Sequence, residues 1–178
     1  LRRSGGVDGV FTAQQIREAE GRLMAQLPEG TLMRRAAFGL ARHARRMLGR
    51  TAGRRVGLLV GAGDNGGDAL WAGVELRRRG AGVVAVLLDP ARAHPAGLAA
   101  FRRAGGHVVG PDAAGLAALI GADLVLDGIV GLSGRGGLRD PAPSLVAAVE
   151  HDEHLLGRAA ATVVPTPSPN PTVSHVAR

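Results

Sequence analysis

Apolar positions in the first fifty residues recur at the three- and four-residue spacing of helices. Thr12 is suited to cap a helix, and Gln15 follows at capping-box spacing, which predicts a helix over about residues 12–23. A break at residues 28–30 is followed by a second predicted helix from Thr31. Its apolar stripe consists of Met33, Ala36, Ala37, Leu40, Ala44, Met47 and Leu48. Two helices therefore precede the first predicted strand.

From Val56 the pattern changes to short apolar runs separated by helical segments. Strands are predicted at residues 56–60, 83–88, 107–109 and 123–127, and helices at about 67–79 and 95–104, around 116–120 and after Pro141. The strands lack polar alternation, as expected of parallel strands covered on both faces. The predicted fold is a Rossmann-like, three-layer α/β/α arrangement with a mostly parallel sheet and two N-terminal helices.

The C-terminal segment breaks this alternation. Four prolines fall between residues 165 and 171, and a proline lacks the N–H that a central strand needs. We therefore expect a single domain over residues 1–156 and a disordered tail over residues 157–178.

Composition adds limits rather than a function. The chain has 178 residues, of which 46% are hydrophobic and 21% charged, as in a folded soluble protein. The net charge is +7, and all of the positively charged side chains are arginines. Three Phe, one Trp and no Tyr, however, leave few aromatic rings for stacking bases. We therefore expect no nucleic-acid partner, and we interpret the runs at residues 42–46 and 77–79 as solvated helix surfaces.

Targeting features are equally sparse. The longest apolar run, residues 83–88, is far shorter than a membrane span, and no apolar stretch follows Arg2 and Arg3 as in a secretory signal. We expect a cytoplasmic protein that does not bind membranes. The absence of cysteine excludes disulfides and thiolate metal sites.

The first segment with candidate chemistry lies between a strand and a helix. Gly61, Gly63 and Gly66 match G-x-G-x-x-G, and Asp89 ends the next strand where a dinucleotide-binding acid would hold a ribose. That pattern leaves an NAD(P)-dependent oxidoreductase open as an alternative. Two acids, Asp64 and Asp68, would however repel a phosphate, and together with an amide they better suit a cation or sugar and amide groups.

A second segment follows Asp127, which ends a predicted parallel strand. An acid in this position faces the crevice where such sheets bind ligands. The loop after it is rich in glycine and able to wrap a ligand. Its candidate binding residues are Gly131, Leu132, Ser133, Gly134, Arg135, Gly136 and Gly137.

Both segments resemble signatures of the YjeF N-terminal family, the NAD(P)H-hydrate epimerases. Residues 61–69 are similar to G-x-G-N-N-G-G-D-G, with Asp64 in place of the first Asn and Ala69 in place of the last Gly. The segment after Asp127 is similar to D-A-x-x-G-T-G, with Gly128 in place of Ala and Ser133 near the usual Thr. Residues 32–37 resemble the family's second helix. The resemblance covers about residues 10–150.

This resemblance implies an isomerase that interconverts the R and S forms of hydrated NADH and NADPH. The substrate would contact residues 131–137 and the segment Asp64, Asn65, Gly66, Gly67 and Asp68. A potassium ion (K⁺) would be the cofactor, bound by Asn65 and Asp127; such an ion suits amide and carbonyl oxygens with few formal charges. The expected partners are the hydrated nucleotide, a dehydratase domain of the same pathway and, as an open option, a second copy of the chain.

One family element is missing from the sequence. The D-x-P-S-G segment, which supplies an acid near the reacting ring and a serine for the ion, has only a faint counterpart in Pro167-Ser168, with no preceding Asp and with Pro169 in place of Gly. We therefore assign no catalytic residue and expect little epimerase activity. A non-catalytic nucleotide-binding or interaction module is a further alternative.

The histidines do not suggest a metal site. His151 and His154 are three residues apart, whereas the H-E-x-x-H pattern needs four, so we interpret residues 151–154 as a solvated helix end. His43, His94, His107 and His175 are isolated in the sequence, and we assign them no role.

Overall fold

The computed structural model describes residues 27–28, 30–129 and 140–150, together with the backbone of residues 159–163 and 173–175. Gln15, Glu18 and Arg22 are also described, and all three are helical, in agreement with a helix over residues 12–23. The remainder of that predicted helix lies outside the described residues.

Helices and strands alternate along the chain as the apolar pattern predicts. The helices are α1 (Thr31–Leu48), α2 (Asp64–Arg77), α3 (Pro95–Arg103), α4 (Ala113–Ile120) and α5 (Ala142–Glu150). The strands are β1 (Arg55–Val60), β2 (Gly82–Leu87), β3 (His107–Val109), β4 (Leu124–Gly128), β5 (Ala159–Val163) and β6 (Val173–His175). Within the described parts of the chain, no helix has both the length and the apolar character needed to cross a bilayer.

The strands form one sheet in the order β3-β2-β1-β4-β5-β6. Neighbouring strands from β3 to β5 pair in parallel, and β6 pairs antiparallel with β5. After β1 the chain adds β2 and β3 on one side of it. The chain then crosses to the other side of β1, where it adds β4, β5 and β6. This reversal between β1 and β4 is the topological switch point of an open α/β sheet, so the predicted Rossmann-like fold is confirmed.

Helices cover both faces of the sheet and create two apolar cores. Leu58 points into the core beneath α1, α2 and α3, which also contains Leu40 and Phe101. The next residue, Leu59, points into the opposite core, which is closed by α4 and α5. Successive side chains of a strand alternate between its faces, so both faces of β1 must be apolar. That requirement explains the unbroken apolar run that marks this strand in the sequence.

The C-terminal segment differs from the prediction. β5 pairs in parallel with β4, with Thr162 opposite Asp127, and β6 extends the sheet by one more strand. The sheet thus continues past residue 156, and the expectation of a disordered tail is wrong for these two segments. Because β5 ends at Val163, before the first of the prolines, the missing ladder donors do not prevent its pairing. The rest of residues 157–178 lies outside the described residues.

Candidate functional site

The two sequence motifs begin side by side at the switch point. β1 and β4 are paired with Leu59 opposite Asp127, so both strands end at the same edge of the sheet. Directly after β1, the Gly61 N–H donates a hydrogen bond to the carbonyl of Gly128, the last residue of β4, at 3.1 Å. Open parallel sheets bind ligands in the crevice at this edge. The structure therefore brings together two segments that are about sixty residues apart in the sequence.

The helix after the glycine-rich turn starts earlier than predicted. Helix α2 begins at Asp64, directly after Gly63, whose φ of 82° places it in the left-handed region that favours glycine. The predicted start near Gly67 is therefore wrong by about one turn. Residues 64–68 form the first turns of a helix rather than a loop, and their side chains are arranged with helical periodicity around the end of α2.

Glycines permit this helix start to pack closely against its neighbours. A β-carbon on Gly66 would overlap the carbonyl oxygen of Gly61, and one on Gly67 would lie 2.9 Å from the Met33 Sδ and 3.0 Å from the His94 Cγ. These contacts come from the preceding turn, α1 and the residue before α3. The position of α2 is thus fixed by close contact on several sides, which holds the candidate site in place.

The same helix start also lies against the end of β4. A β-carbon on Gly128 would be 2.6 Å from the Ala69 Cβ and 2.9 Å from the Asn65 carbonyl oxygen. Gly128 directly follows Asp127 in the chain. The backbones of Asn65 and of the Asp127–Gly128 pair therefore lie close together at one corner of the crevice.

Asp127 is partly buried at this corner, and its Oδ1 accepts a hydrogen bond from the Ile129 N–H at 2.8 Å. Burial raises the pKa of Asp127, because the charged carboxylate loses hydration. The hydrogen bond from Ile129 opposes this effect, and the negative charge of Glu150 adds to it. The net result is a carboxyl group that retains its proton to higher pH than an exposed aspartate.

The remaining candidate residues differ in accessibility. Asp64 is exposed at the start of α2, whereas Asp68 is only 7% exposed, and Asn65 lies between these extremes. Only Asp64 and Asn65 of the first segment therefore present side chains substantially open to a ligand. The second predicted segment, residues 131–137, and the histidine pair at 151 and 154 lie outside the described residues.

Two residues in the connection between β2 and α3 accept hydrogen bonds from nearby backbone N–H groups. The Asp89 Oδ1 accepts the Ala91 N–H at 3.1 Å, which stabilises the turn after the strand. The His94 Nδ1 accepts the Gly97 N–H at 3.0 Å and so caps α3, while its ring lies beside Gly67. His94 has no role predicted from the sequence. His94 directly precedes Pro95, and proline is favoured in the first turn of a helix. This position in the sequence indicates a helix cap.

Comparison with known proteins agrees with this architecture. The family model described as YjeF-related protein N-terminus matches residues 29–165. The chain belongs to this family. The matched region extends from the approach to α1 through β5, so the YjeF N-terminal domain includes the strand that the sequence analysis had placed in the tail.

Named relatives of this YjeF N-terminal domain are longer proteins. The "Bifunctional NAD(P)H-hydrate repair enzyme Nnr" of Mycobacterium tuberculosis is 52% identical over 144 residues, which are 79% of this chain and 29% of the relative. The "NAD(P)H-hydrate epimerase" of Clavibacter michiganensis is 41% identical over 126 residues, covering 68% of this chain and 52% of the relative. The chain thus spans about a third to a half of these relatives.

A solved structure supports the fold independently. The crystal structure of yeast ynu0 aligns with a TM-score of 0.72 and covers 89% of this chain and 71% of the yeast chain. The sequence identity is 21%, so this likeness concerns the fold alone. It agrees with the three-layer arrangement described above.

Proposed function

We propose that this domain binds hydrated NADH or NADPH at the switch point and interconverts the R and S forms of the hydrate. The observation that supports the proposal is the packing of the α2 start against the end of β4, which brings the backbones of the two motifs together at one corner. The names of the relatives, an epimerase and a repair enzyme for hydrated NAD(P)H, supply the substrate.

The residues of the crevice suit such a ligand. The start of α2 presents backbone N–H groups that lack helical partners, and these can bind ribose or phosphate oxygens. Inversion at the hydrated carbon requires an acid or base close to the ring. The two motifs contain the acids Asp68 and Asp127, but Asp68 is only 7% exposed and Asp127 is the proposed ion ligand, so neither is assigned this role.

A potassium ion is the cofactor that we propose for the same corner. Asn65 offers an amide oxygen and Asp127 a carboxylate, which together provide oxygen ligands with a single formal charge. A cation there would also offset the desolvation that raises the pKa of Asp127, because it stabilises the charged form. Bound potassium would supply a positive charge that holds the ligand and Asp127 in place.

Calorimetry with the hydrated nucleotide tests the binding site. We expect the substitutions Asn65→Ala and Asp127→Ala to weaken binding by about tenfold or more and to reduce the difference between potassium and sodium buffers. Asp89→Ala is the matched control, since the Asp89 side chain is bonded within its own turn.

The Asp89→Ala control also distinguishes the proposed epimerase from an ordinary NAD(P)-dependent oxidoreductase. In such an enzyme Asp89 would hold the ribose, so Asp89→Ala would weaken nucleotide binding most. Unchanged affinity in both Asn65→Ala and Asp127→Ala would show that the site is assigned incorrectly, whatever the effect at Asp89.

Epimerase activity is a separate question, because the D-x-P-S-G segment is not matched. We propose that the chain binds the hydrate but inverts it slowly, since a misplacement of about 1 Å in a catalytic site can cost about 100-fold in rate. The double substitution Pro165→Asp/Pro169→Gly restores the pattern around Pro167 and Ser168. It should raise the rate of R/S interconversion, followed by chromatography of the two forms.

The parent and the double variant could instead interconvert the R and S forms equally fast, at the rate of other epimerases. That result would show that residues already present in the parent supply the catalytic acid. No conversion in either, with binding intact, would favour the non-catalytic module. Association with a dehydratase domain, formation of a homodimer and a cytoplasmic location stay predictions beside this one.

A further inference from the structure

A second cleft lies away from the switch point, on the outer surface of the helices α1, α2 and α3. It has a volume of about 400 Å³. Its lining includes Arg34 from α1, Trp71 and Arg78 from α2, and Arg103 from α3, over a base formed by Val74 and Ala100. Among the described candidates of the nucleotide site, neither residues 64–68 nor Asp127 line this cleft. The volume falls within the range of small-molecule sites.

The cleft concentrates positive charge. Arg34, Arg78 and Arg103 come from three different helices, yet all three line the same space. Glu75 bonds Arg78 at 3.0 Å, but it also bonds Arg79. Among the described residues, no carboxylate is within ion-pair distance of Arg34 or Arg103. Glu75 is therefore shared between two arginines, and in the described chain the guanidinium groups of Arg34 and Arg103 have no acidic partner.

Trp71 holds one of these cations in position. The Arg34 guanidinium carbon lies 4.7 Å from the centre of the Trp71 ring, which is the geometry of a cation–π contact. A guanidinium that stacks through its planar face keeps the N–H groups at its edge available as donors. The Trp71 ring thus restricts the Arg34 side chain, which lines the same cleft as Arg78 and Arg103.

We propose that this cleft binds a small ligand carrying two adjacent phosphoryl groups, distinct from the hydrated nucleotide at the switch point. Two phosphoryl groups match the number of guanidinium groups without an acidic partner, and arginine pairs with phosphate through parallel hydrogen bonds. The ligand would also relieve the repulsion between cations held in one cleft. Free pyrophosphate and the diphosphate of a nucleotide share this chemistry.

The chain provides its own probe, since Trp71 is the only tryptophan. We expect titration with pyrophosphate at constant ionic strength to give a saturable change in Trp71 emission, whereas sodium chloride at the same ionic strength gives none. A parallel titration with ADP distinguishes the two sources. Tighter binding of ADP would show that the nucleoside contributes, and equal affinity would show that the phosphoryl groups suffice.

Matched substitutions decide whether the cleft is responsible. Arg78→Ala and Arg103→Ala should each weaken the affinity for pyrophosphate about tenfold or more, because each removes a charged donor pair. Arg45→Ala removes the same charge from an exposed position near the end of α1 and should change the affinity less than twofold. Asn65→Ala should leave the titration unchanged, which separates this cleft from the nucleotide site.

Three results would overturn the proposal. The first is emission that does not saturate with either ligand. The second is an equal loss of affinity in Arg45→Ala and Arg103→Ala, which would indicate attraction by net charge alone. The third is loss of the response in Asn65→Ala, which would place the phosphoryl groups at the switch point. Far-ultraviolet circular dichroism of each variant confirms that the helices are retained.

Discussion

The β-carbon of Ala69 occupies the space that a side chain on Gly128 would need. A β-carbon added to Gly128 would lie only 2.6 Å from it. At both of these positions the chain departs from the family pattern, which has glycine at 69 and alanine at 128. Because the two changes meet in space, the pair retains one methyl group at the contact between α2 and β4.

The first prediction follows from this contact. Gly128→Ala should lower the free energy of unfolding by about 1–3 kcal/mol, since two methyl groups cannot occupy one space without moving the backbone. Ala69→Gly should cost about 1 kcal/mol, as is usual for glycine within a helix. The double variant should be more stable than the sum of these losses implies, by about 1 kcal/mol or more. Urea unfolding of all four proteins measures this coupling.

Gly82→Ala is the control for adding a methyl group to a glycine in a strand. A β-carbon there would have its nearest neighbour at 3.7 Å, an ordinary contact. Its stability should remain within about 0.5 kcal/mol of the parent. Strictly additive losses at 69 and 128 would contradict the interpretation that the two residues compensate each other.

A second prediction concerns the pH dependence of stability. The pKa of Asp127 is raised in the folded domain from its ordinary value of 3.8, mainly by burial. Between the unfolded and folded pKa values the folded state binds more protons. The free energy of unfolding contributed by Asp127 therefore falls as the pH rises through this window, then stays low above it.

Asp127→Asn removes this titration but keeps an oxygen that can accept from the Ile129 N–H. Its stability relative to the parent should increase as the pH rises above the ordinary aspartate pKa, and then level off once Asp127 is ionised in the folded protein. Glu150→Gln removes one cause of the raised pKa and should produce a smaller change in the same direction. Urea unfolding at a series of pH values measures both. A constant difference between parent and Asp127→Asn at every pH would show that Asp127 titrates normally.

The sheet was predictable because its strands are local apolar runs, whereas the start of α2 was not. Glycine is a poor helix former, so Gly66 and Gly67 suggested a loop. Gly66 and Gly67 pack so closely against Gly61 and Met33 that there is no space for a side chain at either position. This packing requirement outweighs the low helix propensity of glycine. Such a requirement becomes visible only when the neighbouring elements are placed.

β5 was missed for a related reason. Its sequence begins with three alanines, which have low strand propensity, and prolines follow soon after it. Its pairing partner, β4, is distant in the sequence, and no local pattern records the match. The approach of the two motif segments was predictable, by contrast, because segments that follow two neighbouring parallel strands must lie at one edge of the sheet.

The last prediction concerns the opposite edge of the sheet, where Asp123 joins the beginnings of β1 and β4. Its Oδ2 accepts the Arg55 N–H at 2.8 Å, and its Oδ1 accepts from the Arg54 Nη1 at 3.2 Å. The Asp123 side chain is only 12% exposed, whereas that of Arg54 is 47% exposed. Asp123→Ala should therefore cost about 1–3 kcal/mol, because it leaves a backbone N–H without its acceptor.

Arg54→Ala should cost less than about 1 kcal/mol, since the ion pair it removes is open to solvent. Asp123→Asn can still accept from the Arg55 N–H and should fall between the two. Unfolding in urea ranks the three variants, and a loss in Arg54→Ala equal to that in Asp123→Ala would assign the effect to the ion pair instead. Affinity for the hydrated nucleotide should be unchanged in all three, because Asp123 lies at the amino end of β4 and the proposed site lies at its carboxyl end.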